Sequence, residues 1–160
     1  MTTIIDGSAG ITFPSGSNPQ AAPSKVLQVV QGTSNTTVST TSASYVTTGL
    51  SASITPLFSS SKILISYFVP SATGASQSQI ETTIYRGSTN IALGSFGFCE
   101  TYSASGGNLQ GIHASFYLDS PATTSSTTYT IYFQNPNNGL SVSVMNNNLT
   151  GTITLMEIAQ

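Results

Sequence analysis

Lys62-Ile63-Leu64-Ile65-Ser66-Tyr67-Phe68-Val69-Pro70 decides how this chain folds. Read as a strand, it puts Ile63, Ile65, Tyr67 and Val69 on one face. Leu64 and Phe68 fall on the other face, which only Ser66 interrupts. A strand that is apolar on both sides has to be covered on both sides. It is expected at the centre of a sheet, with a packed sheet behind it and either a loop layer or another protein chain in front. Leu64 and Phe68 are therefore candidates for a subunit interface.

The composition around this strand points the same way. The chain has 160 residues, 38% of them hydrophobic and 5% charged, against about 25% charged in an ordinary soluble domain. Roughly a third of the residues are Ser or Thr, so its polar surface is built from hydroxyls and amides. Thr, Tyr, Phe, Val and Ile suit strands, and Gly, Asn, Ser and Pro suit turns, which leans the chain to all-β. With only Lys25, Lys62 and Arg86 as bases, it cannot line a phosphate backbone, so no nucleic-acid partner is expected. Few charges also leave strand edges poorly defended, and a chain of this kind is expected to hide its edges in an oligomer or a larger assembly. The lone Cys99 excludes an internal disulfide. The opening residues carry no basic and apolar leader, and no apolar run approaches the roughly 18 residues of a membrane helix. Synthesis in a cytosol, with no membrane partner, is the expectation.

Residues 1–24 read as an extended N-terminal arm. Ile4-Ile5 and Ile11-Thr12-Phe13 flank a Gly-rich link, and Pro14, Pro19 and Pro23 follow. Prolines so spaced exclude a helix and a central strand. Ile4, Ile5, Ile11, Phe13 and Pro14 cannot make a core alone and are the candidate docking residues. From residue 25 to 160, strand signals recur every roughly 8–14 residues, the rhythm of one antiparallel β-sandwich, jelly-roll-like in its connections. They fall at Lys25–Gln31, Thr36–Ser39, Tyr45–Thr48, Ser51–Thr55 and the central strand. Gln79–Arg86 and Ile91–Phe98 follow, joined by a tight hairpin-type turn at Arg86-Gly87-Ser88-Thr89-Asn90, with Gly94 and Gly97 as bulge or close-approach positions. The remaining signals are Leu109–Leu118, Thr127–Gln134, Leu140–Met145 and Gly151–Ile158. In Leu109–Leu118, alternation assigns Ile112, Ala114, Phe116 and Leu118 inward, and His113, Ser115 and Tyr117 outward.

Catalysis has little material. His113 is the only histidine and Cys99 the only thiol, so a metal site or an acid–base dyad would need partners that the chain barely has. A Cys99–His113 pair would be the one nucleophilic arrangement available. Among the carboxylates Asp6, Glu81, Glu100, Asp119 and Glu157, a hairpin could bring Glu81 and Glu100 together as a glycosidase requires, yet nothing singles them out. No phosphate loop or nucleophile elbow occurs. No cofactor and no enzymatic activity are expected. Glu157 alternates with Ile153 and Leu155 and so points where a core residue would. Either a bulge turns it out, or it meets a basic partner such as Lys62 or Arg86 at a subunit interface. Tyr45, Tyr85, Tyr102, Tyr117 and Tyr132, with Asn-rich turns, could stack on a sugar, although surface tyrosine is also ordinary sandwich material.

Several stretches resemble virion β-domain proteins of tailed bacteriophages, especially aquatic phages. The arm Thr2-Thr3-Ile4-Ile5-Asp6-Gly7-Ser8-Ala9-Gly10-Ile11-Thr12-Phe13-Pro14-Ser15-Gly16 is similar to their strand, Gly turn and ITFP-x-G element. Body segments Lys25–Gln31, Tyr45–Pro56, Ser60–Ile65, Tyr85–Ile91, Tyr117–Pro121 and Ile153–Ile158 resemble the same group. The resemblance implies a non-enzymatic homotrimer in a virion. One station is a head decoration (cement) protein that clamps the major capsid protein and stabilises the shell. The other is a short tail fibre or fibre tip, joined to tail proteins and touching host surface glycans. Decoration is favoured because the chain has no long trimeric shaft.

Overall fold

The computed structural model describes residues 4–6, 10–12 and 26–160, apart from 75–76, 93, 95–96, 105–107 and 138; at 4–6 and 10–12 it describes the backbone. Near the N-terminus β1 (Ile4–Asp6) and β2 (Gly10–Thr12) form a two-stranded antiparallel hairpin, with Ile5 opposite Ile11. The body is all-β and folds as two antiparallel sheets packed face to face, the expected sandwich.

The quoted stretch lies at the centre of the first sheet. It is β6 (Lys62–Thr73), three residues longer than the stretch itself. On one side β6 pairs with β10 (Leu109–Asp119) along its length. On the other side β13 (Gly151–Ile158) takes its first half, and β12 (Val142–Val144) takes Ser71–Thr73. Pro70 sits where β13 gives way to β12. Its carbonyl accepts a bond from the Met145 N–H at 2.8 Å, so its missing N–H faces the gap between the two partners and removes no ladder bond. β3 (Val26–Ser34) flanks β13, and β4 (Val38–Thr40) flanks β12.

The second sheet runs β5 (Val46–Ile54), β11 (Thr127–Gln134), β7 (Gln79–Arg86). Two short strands, β8 (Thr89–Asn90) and β9 (Cys99–Tyr102), pair with opposite ends of β7. The two strands expected around Gly49 are one: Gly49 takes φ +77° inside β5, and the facing register slips between Thr130 and Tyr132, so the glycine makes a bulge rather than a break. The strand expected at Ile91–Phe98 is also different. Among the described residues Thr89 and Asn90 pair as β8, and beyond them the Ile91 N–H donates to the Ile84 carbonyl at 3.0 Å, Gly97 makes a single bridge and the Phe98 N–H donates to the Thr82 carbonyl at 2.7 Å before β9 begins. Close approach is what Gly97 is for: with φ +67°, a Cβ there would lie 2.8 Å from both the Thr82 carbonyl and the Tyr45 hydroxyl. At the far side of the sandwich, Gly32 lets β3 cross against β5, where a methyl would collide with the Ser51 carbonyl.

Between the sheets lies one apolar core. Ile63, Ile65, Tyr67 and Val69 of β6 meet Leu50 and Ile54 of β5, Ile80 and Ile84 of β7, and Tyr129, Ile131 and Phe133 of β11. Ile153 and Leu155 of β13 complete it. This is the inward face read from the alternation of Lys62–Pro70.

Candidate interaction surface and the buried polar network

β10 is turned over relative to the sequence reading. Ile112, Ala114, Phe116 and Leu118 face outward, with Ile112 61% and Phe116 72% exposed. His113, Ser115, Tyr117 and Asp119 face the interior, and His113 is 1% exposed. Alternation gives the period of a strand but not the sign of its faces. The sign is set by partners: the buried polar groups of β10, His113 and Asp119, find hydrogen bonds that solvent would otherwise supply.

His113 shows how. Its Nδ1 lies 2.9 Å from Thr82 Oγ1 of β7, and its Nε2 lies 3.0 Å from Thr101 Oγ1 of β9. Thr82 Oγ1 is also 3.1 Å from the Tyr67 hydroxyl of β6. One connected chain, Tyr67–Thr82–His113–Thr101, thereby staples the two sheets together. Burial lowers the His113 pKa to about 4, so the ring is neutral at pH 7. Burial also pushes the Tyr67 hydroxyl far up, with Cys99 adding to it. A sealed ring with both nitrogens engaged cannot shuttle protons to a substrate. The Cys99 thiol contacts the Ala114 carbonyl at 3.5 Å. Cys99 and His113 are neighbours, but no bond joins them and the nucleophilic pairing is not built.

The Glu81–Glu100 pairing is real in register but not as an acid–base pair. The two stand opposite each other on β7 and β9. The Gln79 side-chain amide sits between them, donating to Glu81 Oε1 at 3.0 Å and to Glu100 Oε1 at 2.7 Å. Glu81 is buried, and Gln134 Nε2 donates to its Oε2 at 2.8 Å. The Tyr45 hydroxyl approaches the same oxygen at 3.4 Å; burial first, and that carboxylate second, push the phenol pKa far up. Both carboxylates are thus tied to amides, Glu81 in the interior and Glu100 at the surface. Among the described residues no three His, Cys, Asp or Glu side chains gather as a metal site would need. No helix among them is long and apolar enough to cross a membrane.

The five tyrosines do not converge on one platform. Tyr85 stacks on Tyr132 at 4.0 Å between ring centres, and Tyr45 meets Tyr85 edge-on at 6.4 Å, all on the second sheet's outer face. Tyr117 packs edge-on against Phe98 beside the core. Tyr102 stands exposed on β9.

The remaining charges close the ends of the sandwich. Arg86 Nη1 donates to both Asp119 oxygens at 2.9 Å, and the Tyr129 hydroxyl donates to Oδ2 at 2.7 Å. Arg86 is thus committed within the chain. Glu157 has neither of the expected partners. It lies on the core face of β13, fully covered by its own chain, and its partners are neutral. Gln28 Nε2 donates to Oε2 at 2.6 Å, and the Leu57 and Phe58 N–H groups donate to Oε1 at 2.8 and 3.4 Å. Burial is the largest single influence on its pKa and works upward. The bonds from Gln28 and the two backbone groups outweigh it, helped by the nearby Ser61 hydroxyl, and the net shift is down. No bulge turns Glu157 out, and within the chain its carboxylate is filled by neutral donors because the loop after β5 folds back and brings its N–H groups to it. The same loop leaves Leu57 and Phe58 exposed, at the end of the sandwich where Val26 enters the body.

The two candidate interface residues of β6 do reach the surface. Leu64 is half-buried and Phe68 is 37% exposed, each opposite an apolar residue of β10: Leu118 and Ala114. Across β13, Met156 stands opposite both Leu64 and Val29. Of the arm residues, Ile4, Ile5 and Ile11 belong to the hairpin, with only their backbone described; Phe13 and Pro14 lie outside the described residues. Ile112, Phe116 and Leu118 are the surface residues that alternation alone misassigned; His113 and Asp119 in the opposite phase carried the missing signal. No protein-family model matches this chain, and no curated protein matches it either.

Proposed function

We propose that this chain is a non-catalytic structural protein of a bacteriophage virion, a homotrimeric decoration protein that binds the head shell and stabilises it. The observation that carries the structural reading is the orientation of β10, which buries His113 and Asp119 and turns Ile112, Phe116 and Leu118 to the outside. A strand with that arrangement spends its apolar side chains on a partner. The virion itself enters through the resemblance of the arm and of the body segments. The arm and the exposed Leu57-Phe58 tip, near the point where the arm joins the body, form the end that meets the shell. Purified particles test this directly. Hundreds of copies per particle, and heads that lose heat resistance when the protein is stripped and regain it when it is added back, are expected. A few copies or tens of copies, with binding to host glycans, would move the protein to the tail. Release of sugar from host polysaccharide would overturn the non-catalytic reading.

A further inference from the structure

We infer that the outer face of β6 and β10 is the surface on which copies of this chain meet, with Phe116 of one copy seated in a depression of the next. The inference deepens the assembly reading above and rests on it. Leu64, Phe68, Ile112, Phe116 and Leu118 form one continuous apolar face, because Leu118 stands opposite Leu64, Phe116 opposite Ser66 and Ile112 opposite Pro70. Beside it lies a depression of about 360 Å³, whose walls include Phe68, Pro70, Ile112 and Leu149.

Three features select a second copy as the occupant. The first is area: Phe68, Ile112, Phe116 and Leu118 are 37%, 61%, 72% and 49% exposed and together present roughly 400 Å², a patch of the size that marks an interaction site and about half of the ~800 Å² per partner of a stable complex. The second is charge. No ionised side chain interrupts the rows from Leu64 to Pro70 on β6 and from Ile112 to Leu118 on β10. A charged partner would find nothing to pair with, whereas apolar and hydroxyl groups match a copy of themselves. The third is the edge. Among the described residues β10 pairs with β6 alone, so an eleven-residue strand leaves its other backbone edge beside the most exposed side chains. Such an edge is a template for association unless it is covered. Projection and depression lie close together on one face, so around a threefold axis Phe116 of each copy enters the depression of the next and the ring closes, as the homotrimer proposed above requires.

The test is the mass of the full chain in solution, by light scattering after gel filtration and by sedimentation velocity. The native chain is expected as an oligomer at micromolar concentration. Phe116→Asp is expected to weaken association at least a hundredfold and Ile112→Ser at least tenfold. Thr130→Asp, on the opposite sheet, is expected to leave the mass unchanged. Native-like circular dichroism of the dilute Phe116→Asp chain guards against simple misfolding. Should that variant fail to fold, Phe116→Ser takes its place, with amide exchange over 109–119 expected to speed up on dilution of the native chain. A native monomer at tens of micromolar, or a Phe116→Asp chain of native mass, overturns the inference. An oligomer dispersed by Phe116→Asp but with no affinity for phage heads would keep this interface and remove the decoration reading. A monomer that still coats heads would do the reverse.

Discussion

The two sheets of this sandwich treat their outer faces in opposite ways. The second sheet covers its own. Thr47, Ser51 and Ser53 of β5 and Thr128 and Thr130 of β11 face outward, and Ser53 Oγ lies 2.7 Å from Thr128 Oγ1. On β7 the outward Glu81 and Thr83 are buried under the chain that follows β8, Thr83 donating to Asn90 Oδ1 and the Ala92 carbonyl. Tyr45, Tyr85 and Tyr132 fill the rest by packing on one another. The first sheet does none of this on its outer β6–β10 face. Its hydroxyls and its histidine are spent inward, and Ile112 and Phe116 are left to solvent. A hydroxyl face is content in water, and an apolar face gains roughly 25 cal/mol for each Å² that a partner covers. A chain with 5% charged residues has few other ways to keep one face soluble and the other adhesive.

The sharpest way to break this comparison is to remove the group that holds β10 in its inverted setting. His113→Ala should cost about 3–4 kcal/mol in urea unfolding, combining a cavity with two stranded hydroxyls on Thr82 and Thr101. A cost below about 1 kcal/mol would mean the polar side of β10 is no anchor. Acid tests the same group without mutation. The unfolded His takes a proton near 6.5 and the folded one only near 4. Its contribution is therefore full above about pH 6.5, declines as the pH falls, and is gone by about pH 4, a loss of roughly 3 kcal/mol. Unfolding midpoints between pH 7 and 4 should follow that slope, and His113→Gln should flatten it.

Glu157 sharpens the comparison at the end of the sandwich. Its folded pKa is depressed, so its stabilisation is present above the ordinary carboxylate range and is lost only at lower pH than the histidine's. Glu157→Gln should cost about 1–2 kcal/mol, because the amide cannot accept from Gln28, Leu57 and Phe58 together. An unchanged urea midpoint would deny the carboxylate that role. On the self-covered face, a double-mutant cycle of Tyr85→Leu and Tyr132→Leu should give a coupling of about 0.5–1 kcal/mol. The smallest effect is the most telling. Phe116→Ser should change the stability of the dilute single chain by less than about 0.5 kcal/mol, since the ring touches solvent rather than core. A large loss there would show the ring packed within its own chain and erase the difference between the faces.

Much of this was legible before any coordinates. Strand-forming composition and the two-sided pattern of Lys62–Pro70 called for a sandwich with β6 at its centre, because period two and burial on both faces follow from side-chain order alone. The inward set Ile63, Ile65, Tyr67 and Val69 and the outward pair Leu64 and Phe68 came from the same count. What local order could not supply was the sign of β10, the partners of Glu157 and the amides around Glu81. Each is decided by residues far apart in sequence: Thr82 and Thr101 for His113, the loop at Leu57 for Glu157, Gln79 and Gln134 for Glu81. A buried polar group goes where its hydrogen bonds are, and only the tertiary structure says where those are.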